Sequence, residues 1–253
     1  MKNSVLAKYL AGGTSSAPTP TLRTVAPAPA LVDQSYPGSK AQAGVFQRII
    51  GQMPPHSLYV EAFFGSGQIF HRKRPAAANV VIDADSGVIA KARAACPGAT
   101  VIHGDALEAL PTLTLTAEAV LYCDPPYLLS TRQGRFYYDH EMSEDQHARL
   151  LALLQGLKCR VLLSGYPSDL YSSQLQSWRC LRYRTRTRGK TVMECLWCNF
   201  PEPDELHDWR YAGKSFRQRL AFRRLAARWL ARLEAMPARK RGYVLDAIAQ
   251  RHS

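Results

Sequence analysis

The chain has 253 residues, 46% of them apolar, which is enough to bury the core of one sizeable α/β domain with appendages. Its formal net charge is +13, and residues 209–253 hold twelve Lys or Arg against Glu234 and Asp246 alone, +10 of that total. This composition excludes a disulfide scaffold and a membrane-spanning helix, and charge gathered in one tail suits a polyanion, nucleic acid being the commonest; a solvated basic helix is the plain alternative.

In chain order, residues 1–13 are mildly apolar but interrupted by Lys8 and followed by no cleavage site, so we expect a non-secreted, cytoplasmic protein. Residues 14–33, with Pro18, Pro20, Pro27 and Pro29 among Ala, Thr and Ser, cannot bury enough surface to offset chain entropy. Residues 1–34 therefore read as a flexible arm, with ordered structure from near Tyr36. Short apolar runs follow at 58–62, 79–83, 100–102, 118–123, 159–164 and 192–199, and helix-like stretches at 41–52, 85–95, 143–155 and 168–176 separate most of them. Strands that are apolar throughout and alternate with helices predict an α/β fold, a doubly wound and mostly parallel sheet covered on both faces. Segments 180–187 and 192–199, parted by Gly189, predict an antiparallel hairpin at its end. This domain spans 35–200.

After Pro201 and Pro203 a basic helical extension, 201–253, is expected to contact nucleic acid. A helix over 214–235 sets Phe222, Leu225, Trp229 and Leu233 on one stripe and Arg224, Arg228 and Arg232 on another; Pro237 ends it and a second helix covers 240–250. The six cysteines are scattered. Cys195 and Cys198 stand three apart in a strand and so point to opposite faces, which makes them poor joint metal ligands. Reduced, buried thiols and no bound metal are expected.

The strongest chemical signal is Asp124-Pro125-Pro126-Tyr127, directly after an apolar strand. The exocyclic amine of adenine is a poor nucleophile because its lone pair is delocalised into the ring. A carboxylate and a backbone carbonyl that accept its two hydrogens leave the lone pair facing a methyl donor. Asp124 and the carbonyl of Pro125 supply those acceptors, Pro125 and Pro126 fix the direction of the chain, and Tyr127 offers a face for a flipped base. The plain alternative is a strand-ending turn with an Asx cap. Upstream, the strand at 58–62 holds Glu61 and runs into Phe63-Phe64-Gly65-Ser66-Gly67, whose glycines let backbone approach a ligand closely. The next strand ends at Asp83, where an acid binds ribose hydroxyls in doubly wound folds, and the third is followed by Asp105. Three acids at three strand ends line one crevice.

Together these motifs resemble the Dam-like (D12 class) family of DNA adenine-specific methyltransferases from Tyr36 to about Phe200. The resemblance is to a short form, similar to phage-type adenine methylases. It implies a seven-stranded Rossmann-like methyltransferase sheet and S-adenosylmethionine as cofactor, with Phe63, Gly65 and Gly67 lining its pocket, Asp83 at the ribose and Asp105 by the adenine. Tyr36-Pro37-Gly38-Ser39-Lys40 resembles the N-terminal cofactor motif of the family, so Tyr36 and Lys40 flank the methionine part or the target pocket. Residues 161–166 resemble the far wall of that pocket. Ala62 and Ser39 stand where the family has Pro and Gly. Only 18 residues separate Asp105 from Asp124, too few for the recognition domain that better-known members insert there.

Two segments offer nucleic-acid contacts: the loop 128–140, with Arg132, Arg135, Phe136, Tyr137 and Tyr138, and the alternating Arg182, Arg184, Arg186 and Arg188 followed by Lys190. A buried strand cannot hold four unpaired guanidiniums, so that hairpin must overhang the sheet, into solvent or onto phosphates. The expected reaction is methylation of the 6-amino group of adenine in duplex DNA, by base flipping and direct attack; the sequence does not fix the oligomeric state, a monomer being favoured. RNA adenine methylation, or a DNA-binding module with an inactive core, are the alternatives.

Overall fold

Seven strands make one sheet: β1 (Leu58–Ala62), β2 (Ala78–Asp83), β3 (Thr100–His103), β4 (Ala119–Cys123), β5 (Arg160–Gly165), β6 (Arg179–Thr187) and β7 (Lys190–Cys198). Their order is β3-β2-β1-β4-β5-β7-β6, with β7 alone running against the rest. The computed structural model describes residues 40–42, 44–132, 141–187 and 190–251. The arm, Tyr36, Arg135, Phe136, Tyr137, Tyr138, Arg188 and Gly189 lie outside the described residues, as do the side chains of Arg186 and Lys190.

The expected doubly wound sheet with a terminal antiparallel hairpin is the fold observed. Alternate residues of each strand enter two cores. Val60, Ala62, Leu121, Cys123, Val161 and Leu163 face helix α5 (Glu144–Gly156) through its fully buried Leu150, Leu151 and Leu154. Tyr59, Val120, Tyr122 and Leu162 face α1 (Val45–Ile50), which buries Ile49 and Ile50. Each such side chain contributes roughly 1.5–3 kcal/mol by leaving water. Ser143 and Gln146 form a capping box at the start of α5, and Glu144 and Asp145 favour its positive end. Helix α1 is shorter than the periodicity of 41–52 suggests, because Gly44 enters it at φ 97 and Gly51 closes it.

Between β1 and β2 lies α2 (Gln68–Arg72), and between β2 and β3 lies α3 (Ser86–Ala95). The short α4 (Ala106–Ala109) and a 3-10 turn lead into β4, and α6 (Asp169–Gln174) follows β5. The chain moves outward from β1 to β3 and returns on the other side of β1 with β4. Ligands of open α/β sheets bind at such a reversal, outside the carboxyl ends of the strands. There Ala62 stands in register with Cys123 and with Ile82, and Asp83 with His103, so the turn after β1, Asp83, Asp105 and Asp124 share one edge.

β5 pairs only with residues 195–198 of β7, whereas β6 and β7 stay paired out to Thr187 and Lys190. The hairpin thus overhangs the sheet, as its arginines require. Cys195 and Cys198 enter opposite cores; Cys180, expected to be buried, is exposed on the edge strand β6.

The chain divides into a larger unit ending at Lys214 and a smaller one that takes in α7 (Phe216–Glu234) and α8 (Ala238–Arg251). The larger unit extends beyond the compositional change at Pro201: His207 N donates to the Met53 carbonyl at 2.9 Å and Arg74 N to Asp208 at 3.0 Å. On α7, Ser215 is the N-cap, and Phe222, Leu225 and Trp229 lie exposed on their stripe. No helix among the described residues is long and apolar enough to cross a membrane.

Candidate active site

β4 is buried along its whole length, so Asp124 is the first side chain that can leave it. Its carboxylate meets Lys40, with Nζ 2.8 Å from Oδ1 and 2.7 Å from Oδ2. Lys40 is buried at 6% exposure and Asp124 retains 18%. A carboxylate offers about four lone-pair positions, so acceptor capacity remains for another N–H. The Lys40 ammonium also stands 5.0 Å over the ring of Tyr127, which meets Tyr166 edge-on at 4.5 Å. The two rings form one aromatic wall beside Asp124, so Tyr127 is less the open platform its place in the motif suggests.

The Tyr127 hydroxyl is buried without a partner, and burial, then the charges of Asp124 and Glu194, push its pKa well up. Glu194, on β7, is a second buried carboxyl here and accepts from Tyr183 Oη at 3.2 Å. Burial raises its pKa while Lys40 draws it down. A lone acid in the apolar run of β7 was the sequence signal for it. Ser164 is fully buried and bonded to Tyr122 Oη at 2.9 Å, a packing role.

Behind the motif, the Pro126 carbonyl bears on the ring of His147, whose Nδ1 lies 2.9 Å from Tyr171 Oη. Arg132, expected to contact nucleic acid, is 7% exposed and paired through its two terminal nitrogens with Glu141.

The turn after β1 has three residues in the left-handed region: Phe63 at φ 61, Gly65 at 51 and Gly67 at 61. At Gly67 a Cβ would also stand 2.3 Å from Phe64 Cζ, so only glycine closes the turn. Asp83 fastens it, accepting from Gly65 N at 2.8 Å and from Asp85 N at 2.9 Å. Asp105 caps α4, accepting from Leu107 N at 2.9 Å. Glu61 faces the other core, accepts from Tyr59 Oη at 2.7 Å and from the Phe70 amide, and has its pKa pushed up to about 8 by burial. Its bond to the Phe70 amide ties β1 to α2.

Gln68, the first residue of α2, was not singled out by sequence. It is 3% exposed and neither end of its amide has a partner. Leaving a buried amide unpaired costs about 1–3 kcal/mol, and such a group beside a glycine turn suits a polar ligand from outside the chain. Arg182 and Arg184 are exposed on β6, across from Cys195 and Met193. Among the described residues no His, Cys, Asp and Glu cluster has the makings of a metal site.

No protein-family model and no curated protein matches the chain. Solved structures give distant likenesses. A precorrin 8W decarboxylase of Methanobacterium thermoautotrophicum is 12% identical over 68% of this chain and 96% of that one, with a TM-score of 0.43. A dimethyladenosine transferase of Plasmodium falciparum is 14% identical over 62% of each chain, with a TM-score of 0.41. Magnesium protoporphyrin IX methyltransferase of Synechocystis PCC 6803, solved with bound SAM, is 16% identical over 58% of this chain and 71% of that one, at 0.39. Likenesses this distant assign neither substrate nor chemistry to the chain.

Proposed function

We propose that the chain is an S-adenosylmethionine-dependent methyltransferase acting on the 6-amino group of adenine in DNA. The observation that carries this reading is the carboxylate of Asp124, gripped by Lys40 at the reversal point of the sheet, beside an aromatic wall and one strand from the glycine turn. The crevice suits the cofactor: the unpaired amide of Gln68, the turn over Phe63, Gly65 and Gly67, and Asp83 with Asp105 at the neighbouring strand ends offer donors to a carboxylate and acceptors to ribose and adenine. S-adenosylmethionine, when bound, supplies an electrophilic methyl group.

The residues of the chain supply the rest. Asp124 and the Pro125 carbonyl accept the two hydrogens of the amine and free its lone pair. Lys40 holds Asp124 in place, and Tyr127 and Tyr166 hold the base and keep water away. The chemistry needs no covalent enzyme intermediate: as the amine bonds to the methyl carbon the carbon–sulfur bond would break, S-adenosylhomocysteine would leave, and the nitrogen would then lose one proton. In a duplex that amine is paired, so the base must leave the stack. The exposed arginines of the hairpin and the basic helices of the extension serve the DNA backbone. Incubation with methyl-labelled cofactor tests the reading: label should enter duplex DNA as 6-methyladenine with the native chain and not with Asp124→Asn. Transfer to RNA alone would favour the RNA reading, and cofactor binding without transfer to either would favour an inactive core.

A further inference from the structure

The register of the hairpin sets Cys180 opposite Trp197 and Arg182 opposite Cys195. Cys180, Arg182 and Cys195 therefore share one face of it, and the two cysteines are diagonal neighbours there. Their side chains meet: the Cys195 thiol donates a hydrogen bond to the sulfur of Cys180, and the Arg182 guanidinium donates to the same sulfur. Of the six cysteines Cys180 alone is exposed, whereas Cys195 is fully buried in the core below. Cys198 enters the opposite core and so points away from Cys180. The bond from Cys195, and then Arg182, hold the Cys180 thiol below the usual range against its partial burial; the same bond, and burial, hold Cys195 above it. An accessible sulfur that gives up its proton readily, beside a second thiol that keeps its own, is the arrangement of a reactive cysteine with a resolving partner.

We propose that Cys180 is a site of oxidation by hydrogen peroxide, with Cys195 as the resolving thiol, and that the product is a disulfide across the two strands. In the first step the Cys180 thiolate bonds to one peroxide oxygen as the O–O bond breaks; hydroxide leaves and Cys180 becomes a sulfenic acid. In the second, the sulfur of Cys195 bonds to that of Cys180 as the S–O bond breaks, and the oxygen leaves as water with the Cys195 proton. The two thiols are oxidised and the peroxide is reduced. A disulfide needs its two Cα atoms within about 7 Å, a small draw from the roughly 7–8 Å of a flat diagonal pair. The strong twist of a two-stranded ribbon shortens that draw, and β6 ends the sheet, with no strand beyond it to resist. Gly165 and Cys195 make the last pair of β5 with β7, so the bond fastens the overhang at its root. The inference needs neither cofactor nor nucleic acid and stands apart from the reading of the catalytic site.

The test exposes the reduced full chain to hydrogen peroxide, then unfolds it in N-ethylmaleimide and reads the mass of the chain and of its peptides. The native chain should lose two of its six maleimide-reactive thiols and two hydrogens, and dithiothreitol should restore both. The thioether of Met193, 39% exposed on the same hairpin, is the internal clock, because its conversion to the sulfoxide reports the peroxide dose. The disulfide should be complete before Met193 has gained an oxygen. Cys198→Ser should behave as the native chain does. Cys180→Ser, at an exposed position that leaves the core untouched, should keep all its remaining thiols. Cys195→Ala, with its folding checked by urea denaturation, should stop at a sulfenic acid on Cys180 that dimedone captures. Thiols still intact once Met193 is oxidised would overturn the proposal. So would a loss of thiols that persists in Cys180→Ser, or a native chain in which Cys180 goes on to the sulfinic acid while Cys195 stays reduced.

Discussion

Asp124 carries a charge out of the buried strand β4, and the fold neutralises it at once with Lys40, 84 residues earlier in the chain. The same contact holds the carboxylate where an amine can reach it. Asp124→Asn keeps the shape and removes the strong acceptor, so methyl transfer should fall at least a hundredfold, while the Kd for S-adenosylhomocysteine, read by calorimetry, stays within about tenfold. Lys40→Met leaves the carboxylate without its partner and should cost on the order of 2 kcal/mol of stability in urea denaturation, most of it recovered in the double variant with Asp124→Asn. Additive losses would mean that the pair is incidental. Gln68 gives a test with opposite signs. Gln68→Leu relieves an unpaired buried amide, so the chain should be as stable or more so, yet bind the cofactor about tenfold more weakly. A stabler variant with native cofactor affinity would take Gln68 out of the pocket.

At the scale of elements, the strands were legible because each is an apolar run bounded by turn residues, and the overhang of β6 and β7 because arginine at every second position cannot be buried. The acids at the strand ends were legible for the same topological reason. Partners across the fold were not. Nothing in the sequence pattern shows that Arg132 pairs with Glu141, or that the Gln68 amide is left unpaired, because both depend on how side chains pack once the chain has folded. Glu61 shares its face of β1 with Tyr59 and accepts from that hydroxyl, a pairing that strand period sets and the motif does not show. Helix α5 carries a consequence for pH. Burial, and then Arg132, hold His147 at about 4 against 6.5 for a free histidine. The unfolded chain therefore binds a proton that the folded chain refuses, and stability present above pH 6.5 is lost as pH falls from there toward 4. The slope from this one group is about 1.4 kcal/mol per pH unit. His147→Gln should lower the pH slope of folding stability by that amount over pH 6.5 to 4.5, measured by urea denaturation; an unchanged slope would show that His147 takes up its proton while folded.

For the whole molecule, size sets the limit on what can be read. The 18 residues between Asp105 and Asp124 are used up by α4, a 3-10 turn and the approach to β4, which leaves no recognition insert. Each well-made base contact contributes about 1–3 kcal/mol of discrimination, and the exposed arginines of β6 and α7 suit phosphate as readily as guanine. With +13 of net charge, affinity is expected to be largely electrostatic and to fall steeply with salt. A short site follows, of about two to four base pairs around the adenine, since that is what a few base contacts can specify. Modified bases in a plasmid recovered from a methylation-free host that expresses the chain test the central claim most directly. Single-molecule sequencing should find 6-methyladenine at many short sites with the native chain and at none with Asp124→Asn. A plasmid free of 6-methyladenine, from cells that hold folded chain able to bind S-adenosylhomocysteine, would contradict it.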